Sequence, residues 1–279
     1  MSQPYRHPGR EFLRQYPWEN PAQAVRQYSD FLRRSAGLDD RPPIELSAIY
    51  AHFGIPEPRR APLVDQQGIL VNSDRGLILI KEDDPWVRQR FTEGHELMEL
   101  LFDAQGEKTG NFWEGAEKER LCDRGAALLL MPPTSFVPQL HRQGLSLPTG
   151  QALAQCYQTS LLATLVHMVH HSPRSHALVL WHLASSRRDA PAPPPVPQLR
   201  VWWRAYSPRW QGGFIPRNKS IGSMAPQSCI ARSYHSRQPD RQQETLQFTT
   251  EPCRCQVETL PIQIQGKSCV ISLLTQSEG

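Results

Sequence analysis

The 279-residue chain lacks any long apolar segment. Its longest apolar runs, AALLLM and HALVLW, fall well short of the roughly 20 residues that a membrane-spanning helix needs. The first residues, MSQPYRHPGREF, are polar and contain proline, so they lack the apolar centre of a signal peptide. We therefore expect a cytoplasmic protein that does not enter a membrane.

Cysteine is also scarce, with six residues that are expected to be thiols in an intracellular protein. Four of them follow residue 228: Cys229, Cys253, Cys255 and Cys269. These four could in principle form a zinc site. The usual zinc spacing is about two to four residues between cysteines, whereas C-x-C on an alternating strand puts both sulfurs on one face. Structural thiols are therefore the favoured interpretation.

Proline, by contrast, is concentrated in the segment SSRRDAPAPPPVPQ, residues 185–198. This run cannot be a helix interior or a central strand, and it predicts a semi-rigid linker. Residues 20–184 have mostly helical spacing, whereas residues 199–279 alternate between apolar and polar positions as strands do. The predicted fold class is α+β, with a helix-rich domain that contains a small β-sheet and a smaller β-rich C-terminal domain.

Three predicted segments stand out in the first domain. GILVNSDRGLILI has two β-rich runs around SDRG and predicts a hairpin. Helices are predicted over residues 85–102 and 114–131, with Gly110 interrupting the chain between them. Residues 149–171 predict a helical pair, with Ser160 as the N-cap of its second helix.

The stretch FTEGHELMELLFD, residues 91–103, contains an incomplete zinc-peptidase motif. His95 and Glu99 are four residues apart and share a helix face, so both side chains could bind one metal ion. Glu96 lies one position round the helix, where it could reach water on the metal as a general base. Glu99 stands where H-E-x-x-H has its second histidine, and zinc also accepts a glutamate oxygen.

A catalytic zinc needs a third protein ligand, and the next predicted helix offers Glu119, with Asp123 one turn later. Antiparallel pairing of the two helices would place Glu119 opposite His95. Two carboxylates and one imidazole make a harder site than two histidines and a glutamate, which shifts the preference from Zn somewhat towards Mn or Fe. H-E-x-x-E also arises by chance, with Glu99 as an ordinary solvated residue.

The order of these segments resembles the ImmA/IrrE family of zinc metallopeptidases. Family members have a helix of the type rFtlaHElgHlllH after a hairpin, and then a helix of the type E..An.FAaeLLmP. The counterparts here are RFTEGHELMELLFD and EKERLCDRGAALLLMP, preceded by PPIELSAIYAHFGI and the predicted hairpin. The resemblance covers roughly residues 20–182 and implies a zincin-like metallopeptidase fold.

The resemblance implies that His95 is the first zinc ligand, Glu96 the general base and Glu119 the last ligand. Glu99 replaces the second ligand histidine, and Asp103 replaces a further histidine that is not a ligand.

Gly125 also departs from the family, because it stands where phenylalanine is usual. We expect Phe112 and Trp113 to cover the gap at this position.

The resemblance also implies an activity. Family members are site-specific endopeptidases that cut a helix-turn-helix repressor and thereby release stress, DNA-repair or mobile-element genes. The substrate would be a protein segment bound extended along an edge strand. The residues predicted to form that edge are Leu77, Ile78, Leu79 and Ile80.

Two alternative functions stay open. A pseudo-peptidase with the same fold would bind a repressor or sense a ligand without cutting, because exchanging a ligand histidine for glutamate changes charge and geometry. Residues 149–171 also have the length of a helix-turn-helix. Their second helix is nearly all apolar, however, whereas a recognition helix exposes polar side chains, so direct DNA binding is not expected.

Overall fold

The computed structural model describes residues 4–185, 197–221, 227–248, 252–264 and 266–276. The chain divides into two compact units, one formed by Met1–Gln139 with Ala152–Thr164 and the other by Leu140–Gln151 with Leu165–Gly279. None of the described helices is both long enough and apolar enough to cross a membrane. All six cysteines lie in the described ranges and are free thiols.

The first unit is mainly helical up to residue 130. Its helices are α1 Pro8–Gln15, α2 Pro21–Ser35, α3 Leu46–Phe53, α4 Trp86–Thr109 and α5 Ala116–Leu130. Between α3 and α4 lie three strands, β1 Arg59–Ala61, β2 Gly68–Asn72 and β3 Leu77–Lys81. One apolar core joins the helices and includes Tyr28, Phe53, Leu97, Leu101 and Leu129. This core fixes α4 and α5, which carry the predicted metal ligands.

Helix α4 is longer than the predicted range of 85–102. It begins at Trp86, one residue after the predicted start at Pro85, and it continues to Thr109 and ends at Gly110, whose φ of 72° is left-handed. Ala104 and Gln105 extend the buried stripe of the helix beyond the predicted end. The helix therefore stops only where glycine provides a C-terminal cap.

The predicted hairpin is confirmed as the antiparallel pair β2 and β3, joined by a 3-10 turn at Ser73–Arg75. Strand β1 adds to the other side of β3 in parallel, which gives the order β1-β3-β2. Ile78 and Ile80 of β3 are fully buried. The middle strand is therefore the most protected part of this small sheet.

Three helices follow α5, namely α6 Pro133–Gln143, α7 Leu147–Tyr157 and α8 Leu161–His170. Ser160 caps α8 as predicted, since its Oγ accepts a hydrogen bond of 3.2 Å from the N–H of Ala163. In α8 the side chains of Leu165, Met168 and Val169 are buried. The apolar residues of this helix therefore serve packing rather than an exposed recognition surface.

The second unit contains a five-stranded antiparallel sheet. Its strands are β4 His176–Ala184, β5 Gln198–Tyr206, β6 Asp240–Leu246, β7 Cys253–Ile264 and β8 Lys267–Gln276, in the order β5-β4-β8-β7-β6. Helix α9, Cys229–Ser236, contacts β6, β7 and β8. The predicted α+β class, with a β-rich C-terminal region, is confirmed.

Strand β4 precedes the predicted linker, yet it pairs with both β5 and β8. The sheet therefore begins upstream of residue 185. Residues 186–196 of the predicted linker lie outside the described residues, and the domain limits of 20–184 and 199–279 stay predictions.

Candidate metal centre

Small residues let α4 and α5 approach each other closely. A Cβ added to Gly94 would lie 3.3 Å from the Cβ of Ala126, and one added to Gly125 would lie 2.6 Å from the Cγ of Met98. The contacts run in opposite directions along the two helices, as the predicted antiparallel pairing requires. This close approach brings the polar faces of α4 and α5 together.

The expectation that Phe112 and Trp113 cover the space beside Gly125 is wrong. A Cβ there would collide with Met98 and would lie 2.7 Å from Cγ1 of Val25, so these two side chains already occupy the space. The aromatic residues Phe112 and Trp113 are near Gly125 in sequence, whereas the side chains that fill the space come from α4 and α2.

His95 lies at the centre of a polar cluster between the two helices. Its Nε2 lies 3.5 Å from Oε2 of Glu119 and 3.8 Å from Oε1 of Glu99. Its Nδ1 lies 3.0 Å from Oδ1 of Asp123. Because a carboxylate only accepts hydrogen bonds, neutral His95 carries its proton on Nδ1 and turns the lone pair of Nε2 towards two carboxylates.

The charges around His95 also favour a cation. Burial lowers the pKa of His95, but the hydrogen bond to Asp123 and the charges of Glu96 and Glu99 outweigh burial, so the net shift of the pKa is upward. The same negative field that attracts a proton attracts a metal ion.

Glu99 divides its two oxygens between different partners. Oε2 forms an ion pair with Nζ of Lys118. Oε1, which faces His95, accepts a hydrogen bond of 3.4 Å from Sγ of Cys122. The side chains of Glu99 and Lys118 are 13% and 15% exposed, so their ion pair is largely shielded from water.

Glu96 is buried beside the small sheet. Burial raises the pKa of this carboxyl to about 7, His95 opposes the shift, and the charges of Glu99 and Glu119 add to it. The backbone of Leu70 in β2 lowers this pKa slightly. A carboxyl whose pKa lies near neutrality can both accept and return a proton at physiological pH.

The donor atoms around His95 fit a divalent metal. One donor atom each from His95, Glu99 and Cys122 lie within 4.8 Å of one another. Donors in a tetrahedral zinc site with bonds of about 2.0–2.1 Å are about 3.4 Å apart, close to the distances from His95 Nε2 to Glu119 and Glu99. The Glu119 side chain is 60% exposed, so the cluster opens towards solvent on the α5 side.

The structure places Glu99 and Glu119, two of the predicted ligands, within 3.8 Å of the third, His95. The set of donor atoms that all lie within 4.8 Å of one another, however, contains Cys122 in place of Glu119. Lys118 and Cys122 also belong to the cluster but are not among the predicted site residues. Cys122 follows Glu119 by three residues and therefore shares its helix face, a signal that was present in the sequence. The ion pair between Lys118 and Glu99 had no such signal, because it joins two helices.

The prediction of an edge strand at Leu77, Ile78, Leu79 and Ile80 is wrong. These residues belong to β3, which lies between β1 and β2. The error arose because β1 is only three residues long, with the sequence Arg-Arg-Ala, and shows no strand pattern. Its parallel pairing with Leu79–Lys81 occupies the backbone groups that a substrate would need.

Comparison with known proteins identifies this part of the chain. The family model for the IrrE N-terminal-like domain, Peptidase_M78, matches residues 58–169. On the basis of this similarity, residues 58–169 are referred to below as the IrrE N-terminal-like domain. This domain contains the small sheet, α4, α5 and the polar cluster around His95, and its fold is of the metallopeptidase type found in that peptidase family.

A Mycobacterium tuberculosis transcriptional regulator of known structure is similar in fold beyond the IrrE N-terminal-like domain. The similarity covers 97% of this chain and 80% of the regulator, with a TM-score of 0.59 and 11% sequence identity. At that identity the likeness concerns the fold alone. No curated protein sequence matches the chain significantly.

Proposed function

We propose that the IrrE N-terminal-like domain is a metal-dependent, site-specific endopeptidase of the ImmA/IrrE type. The observation that carries this proposal is the orientation of His95, whose Nδ1 is held by Asp123 while its Nε2 faces Glu99 and Glu119. His95, Glu99 and Glu119 would hold the metal, with zinc as the first candidate and Mn or Fe as alternatives. Such an ion supplies Lewis acidity towards a peptide carbonyl and a water molecule.

Glu96 would act as the general base. Its burial and its pKa of about 7 suit a group that takes a proton from the attacking water and passes it to the leaving amine. The close packing of Glu96 against β2 would hold the carboxyl in place during both transfers. Gly68 leaves room for this arrangement, because a Cβ at that position would lie 2.5 Å from Oε1 of Glu96.

The substrate would be an extended protein segment that pairs with β2 rather than with β3. Strand β2 adjoins Glu96 and pairs with β3 on one side, and within the described residues no strand pairs with its other side. Val71 of β2 is 50% exposed. Backbone hydrogen bonds to β2 would therefore lay the scissile bond beside the polar cluster.

The proposed substrate class is a helix-turn-helix transcriptional repressor. This class follows from the family resemblance, and the regulator of similar fold is compatible with a role in transcription. Cutting such a repressor would place the reaction in the cytoplasm, within a stress or mobile-element response.

The test uses purified protein, Zn²⁺ or Mn²⁺, and a repressor encoded by a neighbouring gene. Wild type should cut the repressor at one site, whereas Glu96→Gln should bind the metal equally well and lose about 10²–10⁴-fold in cleavage rate. Cleavage that persists in the Glu96→Gln variant would remove Glu96 as the base.

A second candidate function is a pseudo-peptidase that binds the repressor without cutting it. The ion pair between Glu99 and Lys118 favours this candidate, because it engages the residue that replaces the usual histidine ligand. A stable complex with intact repressor, in the presence of either metal, would support this function and contradict the endopeptidase.

A further inference from the structure

Lys118 occupies a position that its own helix disfavours. It is the third residue of α5, which begins at Ala116, and a cation in the first turn opposes the helix dipole. The two other charged residues of that turn, Glu117 and Glu119, have the favoured sign. Because Lys118 is also only 15% exposed, its position is explained by a tertiary partner rather than by its helix.

That partner is Glu99, the residue that replaces the second histidine of the zinc-peptidase motif. Nζ of Lys118 contacts Oε2 of Glu99, while Oε1 is the oxygen that faces His95. The ammonium group of Lys118 therefore contacts Oε2 of Glu99, and Oε1 stays available on the side of His95. Asp103, one turn further along α4, adds a second negative charge near Lys118.

The charges of this pair cancel. Glutamate in place of histidine adds one negative charge to the ligand set, and the lysine restores one positive charge next to it. The pair Glu99 and Lys118 therefore has the same net charge as the neutral histidine of the usual motif. Such compensation matters here because Glu96, Glu119 and Asp123 already surround His95 with carboxylates.

We propose that Lys118 is a positioning residue that neutralises Glu99 from outside the ligand set and so lets a carboxylate take the place of a histidine. This inference rests on the proposed metal-dependent function. The positive charge of Lys118 should lower the affinity of the site for a divalent cation towards that of a site with a neutral histidine at this position. In the metal-free protein the same charge should stabilise the largely shielded carboxylate of Glu99.

The experiment measures Zn²⁺ affinity by competition with a chelating dye, and the thermal midpoint of unfolding in excess chelator. The variants are Lys118→Met, which keeps the apolar stem and removes the charge, and Lys118→Arg, which keeps the charge. Lys118→Gln serves as a second neutral variant if Lys118→Met does not fold. Glu119→Ala is the control that should bind Zn²⁺ more weakly.

The expected signs separate charge compensation from a purely structural role. Lys118→Met should lower the metal-free midpoint and yet bind Zn²⁺ at least about tenfold more tightly, because a nearby positive charge is lost. Lys118→Arg should keep the wild-type affinity within about threefold. A structural role would weaken Zn²⁺ binding along with stability.

Unchanged or weaker Zn²⁺ binding by Lys118→Met, with wild type binding normally, would overturn the inference about Lys118 alone. Absence of Zn²⁺ and Mn²⁺ binding by wild type and by both neutral variants would overturn the proposed function as well.

Discussion

Two histidines of the same unit, the buried His7 and the half-buried His95, show how burial alone differs from a position beside carboxylates. His7 caps α1 and lies 2.8 Å from Oγ of Ser73, and its Nδ1 accepts a hydrogen bond from the N–H of Arg10. Burial, with a smaller contribution from Arg10, lowers the pKa of His7 to about 4. His95 is also shielded from water, but Asp123 and two glutamates raise its pKa above the usual value.

The difference separates a structural histidine from one that can bind a metal. His7 stays neutral, and both of its ring nitrogens form hydrogen bonds. Nδ1 caps α1, and Nε2 joins α1 to the turn at Ser73. In His95 only Nδ1 forms such a hydrogen bond, to Asp123, and Nε2 remains available to a cation. A histidine surrounded by carboxylates is thus the stronger sign of a functional site.

Replacing His7 should produce the largest change in stability. The unfolded chain binds a proton at His7 with a pKa near 6.5 and the folded chain at about 4, so wild type loses stability as the pH falls between these values. The loss attributable to His7 should reach about 3 kcal/mol below pH 4. His7→Asn, which can still cap α1, should lack this component.

Urea unfolding of wild type and His7→Asn at several pH values measures the effect. Above pH 6.5 the variant should be less stable by a constant amount, because it loses the hydrogen bond to Ser73. On the acid side the difference should shrink or reverse, because wild type alone loses stability as His7 takes up a proton in the unfolded chain. Parallel pH profiles would show that His7 is not the buried neutral group described above.

Removing the Asp123 carboxylate, which accepts the hydrogen bond from Nδ1 of His95, should reduce the difference between His95 and His7. Asp123→Ala should weaken Zn²⁺ binding by about 10–100-fold, because the imidazole loses its orienting partner. Asp123→Asn keeps an acceptor for Nδ1 and should lose less. Dye competition gives both affinities, and equal losses for the two variants would point to charge rather than orientation.

A smaller effect is expected from Gly68→Ala. The added Cβ would lie 2.5 Å from Oε1 of Glu96 and would also contact the end of Thr92, so both side chains must shift. The Glu96 carboxylate is the end of a flexible side chain, but Cγ2 of Thr92 belongs to a β-branched residue of α4 that is stiff at χ1. Stability should therefore fall by about 1–3 kcal/mol. Cleavage of the repressor should fall by about tenfold or more, because Glu96 is displaced. An unchanged rate would show that Glu96 tolerates the shift.

Local signals predicted much of the fold and of the cluster around His95. The hairpin, α4, α5 and the cap at Ser160 follow from residue periodicity, proline and glycine positions and N-cap chemistry. The shared face of His95 and Glu99 follows from their spacing on one helix. Each of these features is determined within a few residues of sequence.

The missed features depend on contacts between distant segments. The burial of β3 depends on β1, whose Arg-Arg-Ala sequence carries no strand pattern. The space beside Gly125 is filled by Met98 and Val25 from other helices, and Lys118 meets Glu99 only because α4 and α5 pack closely. Such pairings are decided by tertiary packing and leave no periodic trace in the sequence.

The most direct test of the account is the metal content of three proteins purified in parallel and reconstituted with Zn²⁺. Wild type and His7→Asn should each retain about one zinc ion per chain after dialysis, whereas His95→Ala should retain almost none. Zinc-free wild type, or His95→Ala that retains as much zinc as wild type, would contradict a metal centre built on His95.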